Sequence, residues 1–205
     1  MKLKICGLSK AIEVETCVNY EVDYCGFILN YPKSHRFISL DIAKNLTSIK
    51  KYKTQYVGVL VKPSQAELEI FSKLSIDYFQ LYGNYSAKDI LDIKTKFQKK
   101  IIYSIQVKNR EDVEIYKKIE KVVDIILWDS SGYEESLSWD YNWLRSVSTK
   151  AERMLAGNIT EEKLHDLVSL AEIVDVSGAL ETNKVKDIYK IKKFIMEIKK
   201  INAKN

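Results

Sequence analysis

The chain has 205 residues, 46% hydrophobic and 30% charged, with only 7 Gly and 2 Pro, which excludes a disordered or low-complexity polymer and suits one ordered globular core. Its formal charge of +5 includes lysine clusters at 94–100 and 190–205; Ile188, Ile191, Ile195 and Ile198 recur at helical spacing in the second, so those lysines read as the wet face of an amphipathic helix rather than a nucleic-acid footprint. Cysteines at 6, 17 and 25 form no CxxC pair and fit neither a disulfide framework nor a zinc site, and no apolar run approaches the ~18 residues that cross a bilayer, so a cytoplasmic protein is expected.

In chain order, the expected strands are KLKIC (2–6), YCGFILN (24–30), YVGVLV (56–61), YFQLY (78–82), IIYSIQV (101–107), VDIILW (123–128), RMLAG (153–157) and IVDVS (173–177). Most are continuous apolar runs, as parallel strands covered on both faces require. Helical patterns lie between them. Ser64, Ser86 and Thr160 stand where N-caps belong. Ile90, Ile93 and Phe97, and later Leu164, Leu167, Val168 and Ala171, repeat with the period of an amphipathic helix. The sixth connection, SSGYEESLSWDYNWL, reads as a long loop with at most a short helix. A strand and helix repeated in this way predict an α/β fold, a single (β/α)8 TIM barrel over residues 1–205. The alternative is an open doubly wound sheet, but no GxGxxG or GxxxxGK[ST] follows any strand.

In such a barrel the chemistry collects where strands end. The first strand ends in Cys6 and Gly7, where the glycine lets the chain turn and a substrate approach. The second leads to Arg36, the fourth carries Gln80 and ends in Tyr82, and the sixth ends in Asp129. The seventh ends in Gly157 and Asn158; the eighth carries Asp175 and ends in Ser177 and Gly178. Cys6 and Asp129, read as coming from opposite sides of the ring, suit a base and an acid acting on two ends of one small substrate. Gly157 and Gly178 stand in the pair of loops that commonly cradle phosphate with backbone N–H groups. Trp128, one residue from Asp129, is expected to point outward and pack, and Cys17 and Cys25 to be core. His35 and His165 receive no role.

These residues resemble the phosphoribosylanthranilate isomerase family, (β/α)8 enzymes of tryptophan biosynthesis. KICGLS resembles the family's opening K-I-C-G, and GFILNYPKSHRFIS its second-strand segment with arginine. VGVLV, FQLYGN, VDIILWDSS with SLSWDYNWL, LAGNIT, and VDVSGALET with VKD follow in the family's order. The resemblance implies an Amadori rearrangement of N-(5-phosphoribosyl)anthranilate to 1-(2-carboxyphenylamino)-1-deoxyribulose 5-phosphate. It makes Cys6 the general base and Asp129 the general acid, with Arg36 holding the anthranilate carboxylate. Asp175 contacts the sugar, Gln80 joins the substrate-binding set, and the backbone around Gly157, Asn158, Ser177, Gly178 and Ala179 binds phosphate. No metal or organic cofactor, nucleic acid or membrane is implied, and a monomer is the default.

The chain departs from the family pattern at several positions. Tyr82 replaces a usual His, Asn158 a second Gly, and SGALE the usual S-S-G-V-E. Asn tolerates left-handed backbone. Ala179 is expected to keep an ordinary turn; a need for φ > 0 there would strain it. Two alternatives stand beside the isomerase. A related phosphoribosyl-substrate barrel isomerase would use paired aspartates after strands 1 and 5, where Cys6 and no aspartate stand. A catalytically silent phosphometabolite-binding barrel would bind without turnover.

Overall fold

The computed structural model describes residues 1–130 and 138–204. Eight parallel strands, β1 (Lys2–Cys6), β2 (Tyr24–Ile28), β3 (Gln55–Val61), β4 (Tyr78–Tyr82), β5 (Lys100–Val107), β6 (Ile125–Ser130), β7 (Glu152–Leu155) and β8 (Ile173–Val176), pair in sequence order. β8 pairs back onto β1, Lys2 opposite Ile173 through Ile5 opposite Val176, so the sheet is closed rather than open. The barrel follows from strands that are apolar on both faces. Tyr24, Val57, Val59, Tyr78, Ile102, Leu127 and Met154 form one buried cluster inside it. Their strand neighbours Ile5, Phe27, Leu60, Phe79, Tyr103 and Val174 pack in a second cluster with helix residues such as Val14, Ile90 and Phe194. Trp128 belongs to this outer layer as expected: it is fully buried, and its indole N–H donates to Val113 O at 3.1 Å.

The connections in the first half are regular helices: α1 (Ala11–Asn19), α2 (Leu40–Thr47), α3 (Gln65–Ser72) and α4 (Ala87–Phe97). Ser64 and Ser86 begin α3 and α4 with complete capping boxes, closed by Glu67 and Asp89; such caps contribute about 1 kcal/mol each. In the second half the connections shorten. α5 (Arg110–Val113) is one turn continued by a 3₁₀ segment, Glu114–Lys118; after β6 there is only the 3₁₀ segment Tyr141–Ser146 among the described residues. After β7 a 3₁₀ turn, Glu161–Lys163, leads to the one-turn α6 (Leu164–Leu167). The helical period expected through Ala171 therefore ends early, because β8 begins at Ile173 and leaves no room for another turn; Leu164, Leu167 and Ala171 are buried nonetheless. Thr160 precedes this segment without a side-chain capping bond. Of the sixth connection, residues 131–137 lie outside the described residues, and the remainder carries the short helix expected. β8 leads through a 3₁₀ turn, Gly178–Leu180, into a small antiparallel hairpin of β9 (Glu181–Thr182) and β10 (Val185–Lys186), and then α7 (Ile188–Asn202). Ile191, Ile195 and Ile198 of α7 are buried, while Lys192, Lys193, Lys199 and Lys200 face solvent.

A repeated clamp holds the N-terminal rim. A carboxylate just before each even strand accepts a backbone N–H from the preceding strand: Asp23 from Leu3 (2.8 Å), Asp77 from Tyr56 (2.7 Å), Asp124 from Ile101 (2.8 Å) and Glu172 from Arg153 (2.8 Å). These side chains satisfy rim donors that the ladder leaves unpaired. The opposite rim is thereby free for loops that bind. Among the described residues no helix is long and apolar enough to cross a membrane.

Candidate active site

Strand alternation that fills the barrel with apolar side chains turns polar toward the C-terminal rim. On β1, Lys4 and Cys6 lie on the same face; on β4, Gln80 and Tyr82; Asp129 on β6 and Asp175 on β8 complete the group. One pocket opens there, lined from the strands by Cys6, Tyr82, Asp129 and Asp175 and from the loops by Arg36, Gly157, Asn158, Ser177, Gly178 and Ala179. Nine of the ten residues expected at a site thus line one cavity. Gln80 does not: it is fully buried and reaches the pocket through its Nε2, 3.2 Å from the Tyr82 hydroxyl.

Asp129 lies within β6, not beyond its end, because the strand runs on to Ser130 opposite β5. β1 and β6 are separated by β7 and β8, so Cys6 and Asp129 converge from strands three places apart rather than facing across the ring. The Tyr82 hydroxyl donates to Asp129 Oδ2 at 2.7 Å, and the Ser130 N–H to Oδ1 at 2.8 Å. Burial nevertheless dominates and, with the nearby Asp175 charge, lifts the Asp129 carboxyl to about 6 against the pull of those donors and of Lys4.

Cys6 sits in a different field. Burial pushes its thiol up, and the Asp175 charge adds to this, while Lys4 and the more distant Lys186 draw it down. Lys4 is completely buried, with Nζ 2.7 Å from Asp175 Oδ2, and its Nζ and the Cys6 sulfur both stand against Gly26. Asp175 Oδ1, also buried, has no hydrogen-bond partner among the described residues. Lys4 escapes a functional reading of the sequence because a lysine ordinarily lies on the surface. Its spacing of two from Cys6 is the available signal.

The recognition loops are tied by charge. Arg36 grips Glu181 with Nε to Oε1 at 2.5 Å and Nη2 to Oε2 at 3.0 Å. Lys186 donates to the same Oε1 at 2.6 Å and to Ser177 O and Oγ at 3.1 and 3.0 Å; His35 Nε2 lies 3.1 Å from Glu181 Oε2. Arg36 and Lys186 outweigh burial and hold the Glu181 carboxyl down at about 2. Gly7, at φ +76°, is needed here: a Cβ would stand 2.5 Å from Arg36 Cδ. The close neighbour of this glycine is thus the Arg36 side chain, a pocket residue. Nothing in the local sequence around Glu181 or Lys186 announces the pairing, since it depends on the hairpin.

The remaining loop residues have backbone geometry suited to their types. Gly157 (φ +102°) and Asn158 (φ +47°) make the turn after β7, Asn158 taking the left-handed geometry. Ala179 lies inside a 3₁₀ turn and is not among the residues with positive φ, so its Cβ is unstrained. The N–H groups of Gly178 and Ala179 make no hydrogen bond among the described residues. Ser177 Oγ donates to Cys6 O at 2.9 Å, fixing this loop to β1.

Enzymes built on such barrels carry their chemistry at this rim, and the closed barrel with a polar pocket at its C-terminal mouth is of that class: a (β/α)8-barrel enzyme. Residues 3–197 match the family model described as N-(5'phosphoribosyl)anthranilate (PRA) isomerase. The chain belongs to this family. It is 32% identical to N-(5'-phosphoribosyl)anthranilate isomerase of Streptococcus mutans over 97% of this chain and 99% of that one. It superimposes on the phosphoribosyl anthranilate isomerase of Thermus thermophilus with a TM-score of 0.84 at 20% identity, covering 98% and 100% of the two chains. A phosphoribosyl anthranilate isomerase solved with reduced 1-(o-carboxyphenylamino)-1-deoxyribulose 5-phosphate gives 0.77 at 24% identity, covering 97% and 98%.

Proposed function

We propose that this member of the family isomerises N-(5-phosphoribosyl)anthranilate in tryptophan biosynthesis, with Cys6 and Asp129 as its base and acid. Asp129, protonated, gives its proton to the furanose ring oxygen; the C1′–O bond opens and the anthranilate nitrogen becomes a Schiff base. Cys6 as thiolate removes the C2′ proton, giving an enolamine, which tautomerises to the 1-deoxyribulose ketone. Protons are only moved, so the step is an isomerisation. The observation that carries this reading is the single pocket that holds Cys6, Asp129 and the Arg36 guanidinium together.

Asp129 at about 6 and a thiol held above its ordinary value imply that the form with Asp129 protonated and Cys6 ionised is a minor one in the free enzyme. Its fraction is constant between the two values and falls outside them, below the carboxyl value because the thiolate is lost and above the thiol value because the acid is lost. Arg36 is assigned to the anthranilate carboxylate, with Glu181 fixing its Nε and Nη2 edge. Gly157, Asn158, Ser177, Gly178 and Ala179 are assigned to the phosphate, and Asp175 to the sugar. The protein is proposed to act as a monomer in the cytoplasm.

The test is the fluorescence change of freshly prepared phosphoribosylanthranilate on adding enzyme. Turnover by wild type, lowered about 10²–10⁴-fold in folded Asp129→Asn, is expected. Binding without turnover establishes the silent-barrel alternative instead.

A further inference from the structure

An ammonium group fully enclosed in a barrel is costly unless it has a function or a complete set of partners. Lys4 has one carboxylate, Asp175, and that carboxylate leaves its second oxygen unpartnered among the described residues. The Cys6 sulfur is the other group whose charge acts on Lys4. Space for this pair is kept by Gly26 on β2: a Cβ there would lie 2.9 Å from Cys6 Sγ and 3.2 Å from Lys4 Nζ. Lys4 is absent from the pocket lining, whereas Cys6 belongs to it.

We infer that Lys4 is a positioning residue that holds the negative charge Cys6 acquires as it takes the C2′ proton, with Asp175 as the counterweight that keeps Lys4 buried and charged between turnovers. The catalytic half of this role rests on Cys6 being the base. With Cys6 neutral, the Lys4 charge is balanced by Asp175 alone; with Cys6 ionised, one ammonium lies between two anions. No proton leaves Lys4 in this scheme.

Other charged and titratable groups face the same space. Asp129 on β6 and Tyr82 on β4 line the pocket with Cys6, Lys186 on β10 adds a second cation, and Arg36 arrives from the loop after β2. On β2, Gly26 stands beside the sulfur, and the buried Cys25 thiol feels the Lys4 charge. Of the two lysines Lys4 draws the thiol down more, and it shares with the sulfur the space beside Gly26, so its loss matters most.

The experiment reads the thiol without substrate. Iodoacetamide labelling of Cys6 is followed by mass spectrometry between pH 6 and 11; Cys17 and Cys25, fully buried in the outer core, serve as internal markers of unfolding. In Lys4→Met the labelling midpoint is expected to move to higher pH and the rate at pH 8 to fall about tenfold or more. Asp175→Asn removes the opposing charge and is expected to move the midpoint the other way. Opposite shifts in the two variants support the inference, because a packing role gives no such sign change. An unmoved midpoint in folded Lys4→Met overturns it. Where Lys4→Met does not fold, Asp175→Asn decides alone, and an unchanged or raised midpoint rejects the inference. In turnover, Lys4→Met is expected to lose kcat with KM within about twofold. Should the labelling shift appear while Cys6→Ser remains fully active, the electrostatic pairing stands and the assignment of Cys6 as base fails.

Discussion

The pocket is built from two kinds of support. Cys6, Tyr82, Asp129 and Asp175 project from strands, and their positions follow from ladder register: Asp129 is fixed opposite Gln106, and Tyr82 opposite Ser104. Arg36, Ser177 and the Gly178–Ala179 turn stand on loops, held by a carboxylate bridge through Glu181 and Lys186 and by the Ser177 bond to β1. The strand-borne groups are fixed by many cooperative backbone bonds; the loop-borne groups depend on a few side chains. The proposed chemistry therefore falls to Cys6 and Asp129 on the strands and the proposed recognition, Asp175 apart, to the loops, so substitutions in the two sets should divide between kcat and KM.

The largest effects test the strand set. Asp129→Asn keeps the acceptor for Tyr82 and deletes the proton, and Cys6→Ser replaces a tunable thiol with a poorly acidic hydroxyl. Each is expected to lower kcat by about 10²–10⁴-fold with a much smaller change in KM. A Cys6→Ser enzyme with wild-type kcat in a steady-state assay would move the base elsewhere. Arg36→Met tests the loop set. It removes charge-assisted contacts to a part of the substrate that does not react, so KM should rise by roughly ten- to a hundredfold while most kcat survives. A substrate analogue without the carboxylate checks this: wild type should discriminate strongly against it and the variant weakly. Equal discrimination would place the carboxylate away from Arg36.

How much of this division is legible in the sequence differs between the two sets for a physical reason. A period of two on short apolar strands is enough to put Cys6, Tyr82 and Asp175 on the inner face, and β6 needs only a two-residue extension to include Asp129 and Ser130. Capping chemistry likewise marks Ser64 and Ser86 correctly, because a cap is a local event. Glu181 escapes a sequence reading because its partner Arg36 lies 145 residues away and only the closed barrel brings them together, and Lys186 because its pairing with Glu181 depends on the hairpin between them. The second-half helices read longer in the sequence than they are for the same reason. Burial of Leu164, Leu167 and Ala171 satisfies a helical period without requiring helical hydrogen bonds, and the distance to β8 decides which is formed.

A third prediction sharpens the strand side by asking what Tyr82, in the place of a usual His, contributes. Its hydroxyl donates to the carboxylate form of Asp129 and so lowers that group, leaving it at about 6 rather than higher. In Tyr82→Phe the carboxyl should therefore rise. The acid limb of the kcat/KM profile, which tracks Asp129, should move to higher pH, while the alkaline limb set by Cys6 stays in place. A pH profile with both limbs unmoved would show that the hydroxyl is only a packing partner. Lys4 and Asp175 face the same carboxyl with opposite signs and are unchanged in this variant, so the shift isolates the phenol.

The smallest effect lies in the loop set and concerns Ala179. Its backbone is in the 3₁₀ turn Gly178–Leu180 with no positive φ, so glycine is not required for geometry, and the methyl group is exposed. The proposed contact with phosphate uses the N–H, which Ala179→Gly leaves intact. KM for phosphoribosylanthranilate is therefore expected to change by less than about twofold. Stability should fall by a few tenths to about 1 kcal/mol, because glycine gives the unfolded chain more freedom to lose on folding. Urea unfolding read beside KM separates this from the opposite case. A variant both more stable and markedly tighter for substrate would mean that alanine distorts the turn in solution, and that this loop, unlike the strands beneath it, is imperfectly adapted to its ligand.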